Sequence, residues 1–171
     1  MSVLIATALS VGVLAGVATW LFLSVGTILI WAAFVAWACF FHCGGDGAAL
    51  KTTIIGNIFG VIAGWVAALV ILYVPLAAQL TLPLWAGIVI VVTVIIVCMA
   101  SAIPALASIP ASVYGYACAF AFLLQTPDKL TQAALVSPSL DNVLIVVIVS
   151  MVIGALFGWA SGKGAGMLAK S

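Results

Sequence analysis

Charged side chains are almost missing from this chain. Only 4% of its 171 residues are Asp, Glu, Lys or Arg, whereas about 25% is usual for a soluble domain. So few charges cannot coat a soluble core, and a net charge of +1 provides no basic patch for nucleic acid. Apolar residues make up 68% of the chain, which also excludes a disordered protein. The composition therefore predicts an all-α, polytopic membrane helical bundle.

The intervals without charge indicate where the chain crosses the membrane. Three of them, residues 1–45, 52–127 and 142–162, have room for two, three and one span, since a span needs roughly 20 apolar residues. No positive residue precedes the first segment, so we expect a span there and not a signal peptide. Glycine, proline and polar residues mark the remaining breaks. We predict a single transmembrane domain over residues 1–171 with six spans, at about 3–24, 27–42, 50–74, 83–103, 109–124 and 141–162.

The lysines predict the orientation of these spans. With six spans both termini lie on one side, and Lys51, Lys163 and Lys170 fall on that side. The opposite side has only Lys129, which is close in sequence to Asp128. Because cytoplasmic loops carry the excess of Lys and Arg, both termini are expected in the cytoplasm.

Small residues at four-residue spacing predict where the helices pack. In a membrane, helices associate through close backbone approach, so such stripes indicate contact faces. Span 4 has no such stripe and is expected to face lipid or an oligomer partner. A glycine–glycine–tryptophan pattern in spans 1 and 3 leaves two alternatives, a repeat of helix pairs or an inverted repeat of three and three spans. The predicted helix-packing residues are Gly12, Gly16, Gly56, Gly60, Gly64, Gly154 and Gly158.

Four uncharged polar residues are candidates for lining a solute path. Asn57 shares a helix face with Gly60 and Gly64, so it points into the bundle. The alternative for this amide is an interhelical hydrogen bond. The segment 101–116 holds two prolines and could be an unwound or re-entrant element, or a turn followed by an ordinary helix start. Its residues on one face complete the set: Ser108, Ser112 and Tyr116.

Metal, cofactor and enzyme chemistry find little support in the sequence. Cys39, His42, Cys43 and Asp46 lie close together, but structural zinc requires four ligands at defined spacing. We therefore expect no metal site and no cofactor. His42 is the only histidine and is kept as a candidate pH-sensitive gate. No nucleophile with a matching base is visible, so an enzyme is not expected.

Three segments carry a resemblance to a known family. They are GVLAGVATWLFLSVGTILIWAAFVAWACFFHCGG at 12–45, GNIFGVIAGW at 56–65 and IPASVYGYACAF at 109–120. Together they resemble the YcdZ-like small inner-membrane proteins of bacteria, which are grouped as a domain of unknown function. The resemblance implies a multi-pass protein of the bacterial inner membrane. It implies no substrate and no functional residues.

The expected function is a channel or facilitator for a small neutral or weakly charged solute. Uncharged polar groups in the packed centre can replace the water around such a solute. We expect a homo-oligomer in the lipid bilayer, since pores of small proteins commonly lie within or between protomers. The alternative is a membrane scaffold or accessory subunit that transports nothing and packs its glycine faces against another protein.

Overall fold

The computed structural model describes residues 1–170 and is helical throughout its regular parts; Ser171, the last residue of the predicted domain, lies outside the described residues. Two short 3₁₀ turns, Ala100–Ala102 and Pro104–Leu106, lie between the fifth and sixth helices. The α-helices are α1 Val3–Val25, α2 Ile30–His42, α3 Gly47–Tyr73, α4 Ala77–Leu80, α5 Leu82–Met99, α6 Ile109–Gln125, α7 Gln132–Val136 and α8 Val143–Lys170.

Four helical segments are long and apolar enough to cross a membrane. They are Val3–Val25, Gly47–Tyr73, Leu82–Ala102 and Val143–Ala169. Helices α2 and α6 are apolar but shorter, with 13 and 17 residues, against the roughly 20 that a span requires. The chain is thus an all-helical membrane protein. Six crossings and cytoplasmic termini depend on α2 and α6 and stay predictions.

Several predicted boundaries shift for local reasons. Helix α2 begins at Ile30 and not at 27, because Gly26 ends α1 in the left-handed conformation with φ 72°. Helix α3 begins at Gly47, where the Asp46 carboxylate accepts the Ala49 amide proton at 2.7 Å. Helix α8 continues beyond the predicted end at 162, since each helical glycine costs only about 1 kcal/mol relative to alanine.

The proline-rich segment 101–116 has a simple course. After the two 3₁₀ turns, Ser108 caps α6 by accepting the Ala111 amide proton at 3.4 Å. Pro110 occupies the first turn of α6, where its missing N–H would have had no intrahelical partner. From Ile109 onward this segment is an ordinary helix with an ordinary start.

The described chain divides into two compact units. Unit 1 comprises residues 1–54 and those from Val149 onward, and unit 2 comprises Ile55–Ile148. The core of unit 1 contains Ala18 and Phe22 of α1 with Ala33 and Trp37 of α2. The core of unit 2 joins α3, α5 and α6 through Ala67, Ile71, Trp85, Val89, Val97 and Tyr116.

Candidate solute site between helices α3 and α6

Helices α3 and α6 approach so closely in unit 2 that their contact leaves no room for a side chain at three glycines of α3. A Cβ atom at Gly64 would lie 2.9 Å from the Ala119 Cβ. A Cβ at Gly60 would overlap the carbonyl oxygen of Ser112, which is backbone and cannot swing aside. We call this contact the α3–α6 seam. The predicted packing glycines Gly56, Gly60 and Gly64 all lie in it.

Two polar side chains are enclosed in the α3–α6 seam without partners. Asn57 is 2% exposed and Ser112 is 1% exposed. Neither the amide atoms of Asn57 nor the hydroxyl of Ser112 has a hydrogen-bond partner among residues 1–170. A Cβ at Gly115 would overlap the main chain of Asn57, so both residues belong to the same tight contact. A buried polar group without a partner costs about 1–3 kcal/mol, so two in one seam need a reason.

Unit 1 contains a second contact of the same kind, between α2 and α8. A Cβ at Gly154 would overlap the main chain of Ala33, and one at Gly158 would lie 3.0 Å from Trp37 and from Phe40. We call this contact the α2–α8 seam. It explains why glycines at 154 and 158 are required there.

The polar groups around the α2–α8 seam are all paired. The Ser161 hydroxyl accepts from the Trp37 indole N–H at 3.0 Å and donates to the Gly158 carbonyl at 2.7 Å. The Ser10 hydroxyl donates to the Ser161 carbonyl at 2.8 Å. The Ser150 hydroxyl accepts the Leu29 amide proton at 2.9 Å. Serines in this seam therefore hold the helices together.

The other predicted lining residues have local roles in the structure. Tyr116 is buried in unit 2, and its hydroxyl lies 2.7 Å from that of Thr93 on α5. Ser108 is half-buried and caps α6. Of the three predicted lining residues of α6, only Ser112 lacks a partner in residues 1–170. His42, the candidate gate, is exposed at the end of α2.

The predicted packing glycines of α1 lie on an open face. Gly12 and Gly16 are exposed, and a Cβ at either would meet nothing within 4 Å in the described chain. Helix α1 instead packs through Ala18 and Phe22. Four-residue spacing identifies a face of small residues, but it does not determine which neighbour covers that face.

Some buried or partly buried polar residues were not predicted. Thr53, one turn before Asn57 on α3, is fully buried with no hydrogen-bond partner in residues 1–170. Its signal was the i, i+4 spacing to Asn57, which places both on one helix face. Ser161 and Thr93 gave no signal, because isolated hydroxyls in apolar helices are common. Among the described residues, no group of three or more His, Cys, Asp or Glu could hold a metal ion.

The fold and seams define a helical membrane protein whose buried polar groups carry no charge. Within this class the chain belongs to a family of proteins of unknown function, DUF1097, whose model matches residues 8–166. The matched range includes both seams. No curated protein and no solved structure matches the chain.

Proposed function

We propose that this protein is a six-span channel or facilitator for a small neutral or weakly charged solute, with both termini in the cytoplasm. The bacterial inner membrane is its proposed location, in line with the YcdZ-like resemblance of its sequence. The solute would form hydrogen bonds with Asn57 and Ser112 in the α3–α6 seam. This single feature, two enclosed polar side chains with no partner in residues 1–170, carries the proposal.

The chemistry of the seam favours an uncharged solute with both donors and acceptors. The Asn57 amide offers two N–H donors and one carbonyl acceptor, and the Ser112 hydroxyl both donates and accepts. Helix α6 contains no charged residue, and the only one in α3 is Lys51, in its second turn. An ion would therefore lose its hydration without gaining a countercharge, whereas urea, glycerol or a short amide would exchange water for these groups.

Passage through this seam requires that the two helices separate. Asn57 and Ser112 are almost fully enclosed, so in a channel this arrangement would be the closed state. The contact is made by small residues, and no large side chain of α3 interlocks with α6 at Gly60. Separation would break van der Waals contacts but no hydrogen bond of these two side chains. His42, exposed at the end of α2, remains a candidate for making such opening depend on pH.

The open face of α1 favours a second candidate function, a scaffold or accessory subunit. Gly12 and Gly16 are exposed with no neighbour in the described chain. Only 17% of the most apolar part of α1 is buried, as is also the case for α5, whereas 44% is buried for α3 and α8. These two exposed helices would face lipid, a second copy in a homo-oligomer, or a different protein.

Uptake into liposomes tests the proposed function. Liposomes that contain the purified wild-type protein should take up at least one of glycerol, urea and short amides faster than liposomes without protein. Asn57→Leu should fold but lose this flux, because the solute loses a donor and an acceptor where it sheds water. Thermal unfolding of the same preparation in detergent reports whether the variant is folded.

Ser24→Ala is the matched control for this experiment. The Ser24 hydroxyl is exposed and bonds only to the carbonyl one turn back, at Trp20, so its removal should leave flux unchanged. Unaltered flux in Asn57→Leu together with reduced stability would contradict a solute site at Asn57. Absence of flux for every solute in the wild type would favour the accessory-subunit function.

A further inference from the structure

Helices α2 and α6 share a sequence pattern, and each of them forms one side of a seam. Residues 30–41 read IWAAFVAWACFF, and residues 109–120 read IPASVYGYACAF. Placed in register, at a constant offset of 79, they have the same residue at the first, third, ninth, tenth and twelfth positions. They also pair Ala33 with Ser112, and Trp37 with Tyr116. Helices α2 and α6 therefore correspond to each other.

The third and last helices correspond in the same way. Residues 60–65 read GVIAGW and residues 154–159 read GALFGW. This register pairs Gly60 with Gly154 and Gly64 with Gly158. The first half of the chain consists of α1, α2 and α3, and the second half of α5, α6 and α8. In each half a long apolar helix comes first, the helix of the shared pattern second and the helix with the GxxxGW segment third. The second half is longer because it contains α7 and its flanking loops.

The contacts reproduce this correspondence residue by residue. Gly154 meets the main chain of Ala33, and Gly60 meets that of Ser112, which is the counterpart of Ala33. In the next turn, Gly158 meets Phe40, and Gly64 meets Ala119, the counterpart of Phe40. The register of the sequence match and the register of the contacts agree at each of these positions.

Each seam, however, joins helices from different halves. The GxxxGW helix of the first half, α3, packs on α6 of the second, and the GxxxGW helix of the second half, α8, packs on α2 of the first. The preceding helices follow the same plan, since α1 packs against Trp37 and α5 against Tyr116. Both units thus consist of two helices from one half completed by the third helix of the other.

We propose that the chain consists of two copies of one three-helix element, inserted in the membrane in opposite orientations, which exchange their third helices. Three spans reverse the direction of the chain, so a second copy that follows directly is inverted, a plan that transporter folds use repeatedly. In this plan Met151 and Ala33 of unit 1 stand where Asn57 and Ser112 stand in unit 2. Resting on the proposed function, this assigns the solute to only one of two equivalent seams.

Thiol labelling in intact cells tests the inverted arrangement without reference to transport. The four native cysteines are first replaced by alanine. Thr27→Cys in the α1–α2 loop and Ala105→Cys in the corresponding α5–α6 loop are both exposed positions. A membrane-impermeant maleimide should label Thr27→Cys in intact cells and Ala105→Cys only after permeabilisation.

Labelling of both cysteines from one side would overturn the inverted repeat. That result would mean an even number of membrane crossings between residues 27 and 105, whereas the inverted arrangement requires three, by α2, α3 and α5. Labelling from opposite sides with the pattern reversed would support the inverted repeat and would contradict only the cytoplasmic termini of the proposed function. The two proposals therefore fail on different results.

Exchange of residues between equivalent positions tests the site assignment. The double variant Asn57→Met, Ser112→Ala gives the α3–α6 seam the residues found in its counterpart. It should fold with a Tm no lower than that of the wild type, because Met151 and Ala33 already fit such a seam at 1% exposure each, and it should lose solute uptake. Loss of folding would overturn the equivalence of the seams. Retained uptake would overturn the assignment of the solute to unit 2.

Discussion

The α2–α8 seam and the α3–α6 seam share their small-residue contacts and differ in how they treat polar groups. In the first, Ser161 joins Trp37 and the Gly158 carbonyl. In the second, Asn57 and Ser112 are buried with no partner in residues 1–170. The same packing scheme can thus satisfy its hydroxyl groups, and the α2–α8 seam does so. The unpaired Asn57 and Ser112 are therefore not a requirement of this packing scheme, which is the reason for assigning them to a solute.

The corresponding aromatic residues sharpen the contrast. Trp37 is held by Ser161 across its own seam. Its counterpart Tyr116 is held by Thr93 of α5, and the position that corresponds to Ser161 is Ala67, in the apolar core of unit 2. In unit 2 the hydrogen bond of this aromatic residue therefore lies between α5 and α6, outside the α3–α6 seam. The seam can then open without breaking the hydrogen bond of its aromatic residue to Thr93.

The largest expected effect comes from adding bulk to either seam. Gly60→Leu and Gly154→Leu each force a side chain into main-chain atoms of the facing helix. Overpacking typically costs about 1–3 kcal/mol, and facing main chain cannot rotate aside, so we expect the upper end or failure to fold. Yield and Tm in detergent measure the loss. A large effect at one glycine with none at the other would break the equivalence of the two seams.

A smaller effect is expected from the hydroxyl pair of unit 2. Thr93→Val keeps the shape of the side chain but leaves the buried Tyr116 hydroxyl without its partner at 2.7 Å. The loss should be about 1 kcal/mol in unfolding free energy. Adding Tyr116→Phe should recover most of it, since removal of both partners is nearly neutral. A double variant less stable than Thr93→Val alone would contradict this pairing.

The smallest effects are expected on the open faces. Val92 of α5 is 53% exposed, and a Cβ at Gly12 would meet nothing within 4 Å. Val92→Leu should therefore change Tm very little, as exposed substitutions usually stay within about 0.5 kcal/mol. Gly12→Ala should not lower Tm, because alanine is more favourable than glycine in a helix by about 1 kcal/mol. A marked change in the oligomeric state of Gly12→Ala, measured by light scattering, would instead reveal a partner on the face of α1.

The sequence predicted the helices and the depth of Asn57 better than it predicted contacts. The long charge-free segment located α3, and the shared face with Gly60 placed Asn57 inside the bundle. The absence of a partner for Asn57 depends on what α6 presents opposite it, and no pattern along α3 contains that information. The extension of α8 past residue 162 was also missed, because the charge-free interval ends before Lys163, which lies within the helix.

The repeat illustrates the same limit. Glycines at four-residue spacing occur in spans 1, 3 and 6, so the glycine spacing alone relates spans 1 and 3 as readily as spans 3 and 6. The contacts decide between them, since Gly12 faces open space whereas Gly60 and Gly154 meet facing main chain. The spacing of small residues therefore indicates which helices could be equivalent. The residues that they contact on the facing helix show which ones are.

Thermal unfolding of Ser112→Ala and Ser161→Ala, side by side in one detergent, tests the central contrast most directly. Ser161→Ala removes the acceptor of the buried Trp37 indole and should lower the unfolding free energy by about 1–2 kcal/mol. Ser112→Ala removes a hydroxyl with no partner in residues 1–170, so its Tm should equal or exceed that of the wild type. Equal destabilisation by the two substitutions would contradict the account, because Ser112 would then bind within the protein as Ser161 does.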